Sequence, residues 1–156
     1  MIFQITFRLI CYTYYIQALK SPLVTLYKLG VRSEIMLNIV VVDDELHSSA
    51  RIKEFISQVE ELNLVGTYSN YDNCLSEIKE NKISADVVFL DIEILGYSGL
   101  ELAERILEVN EEIDIVFVTA YDSYAVEAFE LNALDYLLKP LTKKRFQKTI
   151  SRLLAR

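Results

Sequence analysis

At 156 residues, the chain holds enough sequence for one well-cored domain and too little for two. An apolar fraction of 52% excludes global disorder, and a formal net charge of -7 argues against whole-chain binding to nucleic acid. The charge is uneven: residues 1 to 35 carry four bases against one acid, a net of +3, whereas the remaining 12 bases and 22 acids leave -10 over residues 36 to 156.

The first 35 residues stand apart from the rest. Apolar residues recur there as Ile2, Ile5, Leu9, Tyr12, Ile16 and Leu19, a three-four spacing that lines one side of a helix, until Pro22 interrupts it. The longest charge-free window, Leu9 to Leu19, is eleven residues, short of the roughly 20 that cross a bilayer as a helix. An uncharged start without a small-residue cleavage site does not read as a signal peptide. The chain is therefore expected to be cytoplasmic, with no integral membrane association. Met36 immediately precedes LNIVVVDDE and offers a second possible start of translation. Residues 1–35 are thus expected to be either a partly helical extension or an added segment with no role in the domain, which is expected over residues 36–156 with no output domain in this chain.

From Leu37 to Pro140 two periodicities alternate. Strands are predicted at LNIVVV (37 to 42), LVGTY (64 to 68), ADVVFL (85 to 90), DIVFV (114 to 118) and DYLL (135 to 138), and their continuous apolar character predicts a sheet covered on both faces. Helical patterns lie between them. Ala50, Phe55, Ile56, Val59 and Leu62 share a face of the first, YDNCLSEIKEN makes the second, and Leu100, Ala103, Ile106 and Leu107 mark the third. A fourth is expected over YDSYAVEAFELN, with Tyr124 and Phe129 packing on its face, and a fifth from about Thr142 to Leu154, after Pro140. Five strand–helix alternations define an α/β fold, a doubly wound five-stranded parallel sheet with helices on both faces.

In such sheets polar function gathers at the carboxyl ends of the strands. Asp43 and Asp44 follow the first strand, Asp91 the third, Thr119 the fourth and Lys139 the fifth. Each alone has an ordinary explanation as a turn, cap or solvated residue, but together they would converge on one rim. Clustered carboxylates repel unless a cation joins them, and oxygen-only ligands favour a hard divalent ion such as Mg2+. With Lys139 opposite, the rim could hold a phosphoryl group, and an aspartate is a competent nucleophile for one. GYSG is not a Walker A loop. Cys11 and Cys74 match no metal or redox spacing, and the single histidine, His47, cannot build a histidine-rich metal site. Glu45, third in the DDE run, is expected to favour a helix start.

The ordered set VVVDDE, VVFLDIEILGYSGLELA and IVFVTAYDSYAVEAFELNALDYLLKP resembles the receiver domain of two-component response regulators over Leu37 to about Leu154, and most resembles the receivers of LytTR-type transcriptional regulators. The resemblance implies a flavodoxin-like fold, Asp91 as the phosphoacceptor, and Mg2+ held by Asp43, Asp44, Asp91 and the backbone carbonyl of Glu93. It also implies that the Thr119 hydroxyl meets the phosphoryl group, that Lys139 pairs with it, that Tyr136 is the aromatic switch, and that the bond from Lys139 to Pro140 is cis. One departure is visible: DIEILG has Leu95 where family members commonly carry proline, which is expected to loosen the loop without removing a ligand.

The expected function is a phosphorylation-dependent switch that takes a phosphoryl group from a sensor histidine kinase and regulates output, as transcription through a DNA-binding domain outside this chain. It would catalyse its own Mg2+-dependent phosphorylation and dephosphorylation without being a turnover enzyme. A homodimer through the face of the fourth helix, fifth strand and fifth helix is the other expected partnership. Direct DNA contact is not expected of this chain, because the bases after Lys139 suit a helix end. Two alternatives stay open: a stand-alone protein-interaction module, and a Mg2+-dependent phosphatase, which would need a further acid–base group.

Overall fold

The computed structural model describes residues 36–155, so the N-terminal extension expected over residues 1–35 lies outside the described residues. The elements in chain order are β1 (Leu37–Val42), α1 (Leu46–Ile56), β2 (Leu62–Tyr68), α2 (Tyr71–Lys79), β3 (Val87–Leu90), a hairpin of β4 (Glu93–Ile94) and β5 (Tyr97–Ser98), α3 (Gly99–Val109), β6 (Asp114–Thr119), α4 (Ala125–Glu130), β7 (Asp135–Leu138) and α5 (Lys143–Leu153). Five strands form one sheet in the order β2-β1-β3-β6-β7. All four neighbouring pairs are parallel, which is the flavodoxin-like order.

The continuous valines of β1 have a simple cause in this sheet. Side chains alternate along a strand, so Val40 and Val42 enter one core with Val88, Leu90, Ile115 and Phe117 beneath α2 and α3. Ile39 and Val41 enter the other with Val87, Phe89, Val116 and Val118 beneath α1 and α5. Both sets on β1 are fully buried, and a strand covered on both faces has no position at which water favours a polar side chain. The helices are set locally as well: Asn70 caps α2 by accepting the Asn73 N–H at 3.1 Å, and Thr142 caps α5 by accepting the Arg145 N–H at 3.3 Å.

Several boundaries differ from the sequence expectation. α1 ends at Ile56 and buries Ser49, Ile52, Phe55 and Ile56. Ala50 is exposed, and Leu62 belongs to β2, where it pairs with Leu37. The apolar run therefore mixed a helix face with the start of a strand. α4 is six residues long and buries only Ala128, so Phe129 is 81% exposed rather than packed. The hairpin was not foreseen. Its two-residue turn holds Leu95 at φ 48° and Gly96 at φ 84°, the pair of positive φ values of a type I′ connection. A proline at position 95, fixed near φ -65°, could not adopt that turn. No helix among the described residues is long and apolar enough to cross a membrane.

Candidate functional site

The sheet register brings the acids together. The Asp91 N–H donates to the Val42 carbonyl at 2.9 Å, extending the β1–β3 pairing by one step and setting Asp91 beside the end of β1. Across the sheet, the Lys139 N–H donates to the Thr119 carbonyl at 2.7 Å and does the same for β6 and β7. Asp43, Asp91 and Thr119 are buried. One carboxylate oxygen from each of Asp43, Asp44 and Asp91 lies within 4.8 Å of the others.

Three carboxylates meet the Lys139 ammonium. Nζ donates to Asp91 Oδ2 at 2.6 Å and to Glu45 Oε2 at 2.6 Å, and it forms an ion pair with Asp43 Oδ2 at 3.0 Å. That Asp43 oxygen is buried and accepts no hydrogen bond; its charge is met by proximity alone. Its companion Oδ1 accepts the Glu45 N–H at 2.8 Å. Burial disfavours the charged lysine, but the hydrogen bonds to Asp91 and Glu45 and the nearby Asp43 carboxylate outweigh it and hold the ammonium above the usual lysine range. For Asp91 burial dominates: it raises the carboxyl above the ordinary range despite the bond from Lys139, with the Asp43 charge adding to the rise. Glu45, mostly exposed, is lowered by its hydrogen bond from Lys139.

The surrounding loops are tied to this rim. Asp91 Oδ1 accepts the Ile92 N–H at 2.7 Å, and Asp44 Oδ2 accepts the Leu95 N–H at 3.1 Å, anchoring the hairpin turn. Glu93 begins the hairpin, with an exposed side chain. Its carboxylate and the Tyr121 hydroxyl are hydrogen-bonded, which raises the tyrosine pKa. Tyr136 is half-buried on β7, its ring 6.3 Å from that of Phe117, and its hydroxyl donates to the Tyr121 carbonyl at 2.5 Å. Thr119 Oγ1 accepts the Tyr121 N–H at 3.4 Å, a long contact. The Lys139–Pro140 peptide is cis. An open cleft of about 510 Å³, lined by Asp44, Glu93, Gly96 and Tyr124 among others, adjoins the acids.

All the rim residues named from sequence thus sit at one end of the sheet. Two others take part in ways the sequence did not show. Glu45 occupies the N-cap position of α1 as expected but makes no side-chain cap; its partner is Lys139, 94 residues away. Gly99 starts α3 so close to the site that a Cβ there would fall 2.0 Å from the Asp91 backbone oxygen. Only glycine permits that approach, and the sole sequence signal was the glycine of YSG.

A doubly wound sheet with an acidic cluster and a lysine at its carboxyl rim is an arrangement able to hold a phosphoryl group. The family model described as the response regulator receiver domain matches residues 39–151, and the chain belongs to that family. It is a receiver domain of two-component phosphorelay signalling, and its aspartate cluster fits the self-phosphorylation chemistry of such domains. The chain is 38% identical over 117 residues to the sensory transduction protein LytT of Bacillus anthracis, covering 75% of this chain and 47% of that protein. It is 38% identical over 118 residues to the transcriptional regulatory protein BtsR of Escherichia coli K12, covering 76% and 48%. The chain spans about half the length of the curated relatives it matches. Among solved structures, the response regulatory domain of mrkE from Klebsiella pneumoniae superposes with a TM-score of 0.70 at 31% identity, covering 76% of this chain and 96% of that one.

Proposed function

We propose that this domain is a phosphorylation switch in which Asp91 accepts a phosphoryl group from the phosphohistidine of a sensor kinase. The observation that carries this reading is the meeting of the Asp91, Asp43 and Asp44 carboxylates at one rim with Lys139 bonded to Asp91 at 2.6 Å. An Asp91 oxygen forms the new bond to phosphorus as the bond from phosphorus to the imidazole nitrogen breaks, and that nitrogen keeps the electron pair. Lys139 binds the incoming phosphoryl oxygens, and the Thr119 hydroxyl turns toward them.

The donor set fits a divalent ion. It is oxygen-only and gathered within 4.8 Å, and one of its buried oxygens, Asp43 Oδ2, accepts no hydrogen bond. Asp43, Asp44, Asp91 and the Glu93 backbone carbonyl would hold Mg2+, which when bound neutralises charge on the phosphoryl oxygens. The chain residues do the rest: they orient the nucleophile, bind the anion and transmit its arrival. Tyr136 is the switch in this reading, supported by its hydrogen bond to the loop that follows Thr119. Phosphorylation biases two arrangements of that loop, α4 and β7.

We infer output of the LytTR type, acting on transcription through a DNA-binding domain outside this chain; the kinship with LytT and with a transcriptional regulatory protein supports it. A homodimer through α4, β7 and α5 is supported by Val126, Phe129 and Leu138, which are exposed there. Intact mass tests the core reading. The full chain incubated with acetyl phosphate and Mg2+ should gain one phosphoryl group, and chelation or Asp91→Asn should prevent the gain. Equal labelling of the variant would assign the chemistry to another residue, and repeated turnover of phosphomonoesters would favour a phosphatase.

A further inference from the structure

We propose that Glu45 is a built-in competitor for Lys139, an anion that occupies the ammonium until a phosphoryl group on Asp91 displaces it. The inference rests on the reading of Asp91 as phosphoacceptor and adds a residue that sets how readily the site accepts and keeps its load. An ammonium has three N–H donors, and Lys139 faces three carboxylates, those of Asp91, Glu45 and Asp43. Lys139 hydrogen-bonds two of them, Asp91 and Glu45, with Asp43 alongside at 3.0 Å, so an arriving phosphoryl oxygen competes with these carboxylates for the ammonium.

The structure distinguishes which of the three gives way. The side chains of Asp43 and Asp91 are 1% and 8% exposed, whereas that of Glu45 is 64% exposed. A carboxylate released inside the site would lose its countercharge without gaining water, which is expensive; Glu45 returns to solvent at little cost. Asp43 is further restrained through Oδ1, which accepts the Glu45 N–H at 2.8 Å, and Asp91 carries the phosphoryl group itself. The released side chain also has a favourable neighbourhood. Glu45 stands at the N-cap of α1 with no side-chain cap, and the first turn of that helix contains no acid, so a free carboxylate there meets unpaired N–H groups and the positive end of the helix. Glu45 therefore moves between two cationic partners, Lys139 in the unloaded state and its own helix start in the loaded one.

A charge-assisted bond, rather than the charge alone, is what competes, and two variants weaken that bond in different ways. Glu45→Gln removes the charge and leaves only the weaker amide oxygen to accept from Lys139. Glu45→Asp keeps the charge but is one methylene shorter, which draws the carboxylate back from the present 2.6 Å contact. Rates of phosphoryl gain from acetyl phosphate with Mg2+, and of its loss after donor removal, are measured by intact mass on the full chain. Alongside, the side-chain 13C resonance of residue 45 is followed as beryllofluoride, a phosphoryl mimic, is added to the wild type. Both variants should gain phosphate about two- to five-fold faster than wild type, the scale of an exposed ion pair, and the wild-type Glu45 resonance should move on loading. Acceleration by Glu45→Gln alone would reduce Glu45 to a field effect and overturn the competition, as would unchanged rates in both variants or a Glu45 resonance indifferent to loading. A wild-type chain that gains no phosphate overturns the phosphoacceptor reading and this inference with it.

Discussion

Two buried aspartates lie at opposite ends of the parallel strands, and their surroundings differ in kind. Asp135, at the start of β7, is held by five donors. Arg145 grips both its oxygens at 2.6 and 2.7 Å, while Thr149 donates at 2.8 Å, the Tyr136 N–H at 3.0 Å and Arg152 at 3.0 Å. Asp91 is held by the N–H of its own neighbour and by Lys139, with the Thr119 hydroxyl adding a further bond, and it shares that lysine with two other acids. Burial pushes both carboxyls up; at Asp135 the bonds from Arg145 and Thr149 outweigh it and the net shift is downward, whereas at Asp91 burial prevails. A carboxylate whose lone pairs are filled is a strut. One left under-bonded beside like charge is available for chemistry.

That contrast can be broken in several ways. The largest effect on stability is expected from Asp135→Ala. Removing one partner of a buried ion pair costs about 3–5 kcal/mol, and the partial exposure of both guanidiniums lowers the expectation here to roughly 2–3 kcal/mol. Urea unfolding at pH 7 measures it. Asp91→Asn, which removes a carboxylate that burial already disfavours, should leave metal-free stability unchanged or raised in the same assay; a loss as large as that of Asp135→Ala would erase the distinction.

Gly99→Ala sharpens the geometry of the reactive side. A Cβ 2.0 Å from the Asp91 carbonyl oxygen must displace backbone, an overpacking expected to cost about 1–3 kcal/mol and to slow phosphoryl gain. Normal labelling with full stability would show that the close approach does not matter.

Acid sharpens the other side. The Asp135 pKa is depressed on folding, so its stabilisation is present above the ordinary unfolded value, about 3.9, and is lost as pH falls through the lower folded value. The stability gap between wild type and Asp135→Asn should therefore be constant from pH 7 to about 5 and narrow below about pH 4. A gap that widened in acid would contradict the assigned direction.

The smallest effect is expected at the hairpin turn. Leu95 sits at φ 48°, where a side chain without a local hydrogen bond costs roughly 1–2 kcal/mol and asparagine is better tolerated. Leu95→Asn should raise stability by up to about 1 kcal/mol, and Leu95→Pro should lower it.

Much of this was readable from the chain because the governing physics is local or periodic. β1, β3 and β6 are covered on both faces, and that alone makes their residues continuously apolar; with the strands located, Asp43, Asp91 and Thr119 fall at their ends by counting. What escaped was long-range or context-bound. Nothing near Glu45 announces a lysine 94 residues later, and a carboxylate at a helix start has a sufficient local explanation. The brevity of α4 was hidden because Val126 and Phe129 keep helical spacing while facing solvent; apolar periodicity marks a face but not what covers it. A leucine in a type I′ turn defies its own preference, so no propensity rule finds it.

The most direct test compares the two aspartates under one set of conditions. Wild type, Asp91→Asn and Asp135→Asn are incubated with acetyl phosphate and Mg2+ and weighed intact. One added phosphoryl group is expected on wild type and on the folded fraction of Asp135→Asn, and none on Asp91→Asn. Stoichiometric labelling of Asp91→Asn, or folded Asp135→Asn that takes up no phosphate, would overturn the assignment of Asp91 as phosphoacceptor and Asp135 as a structural strut.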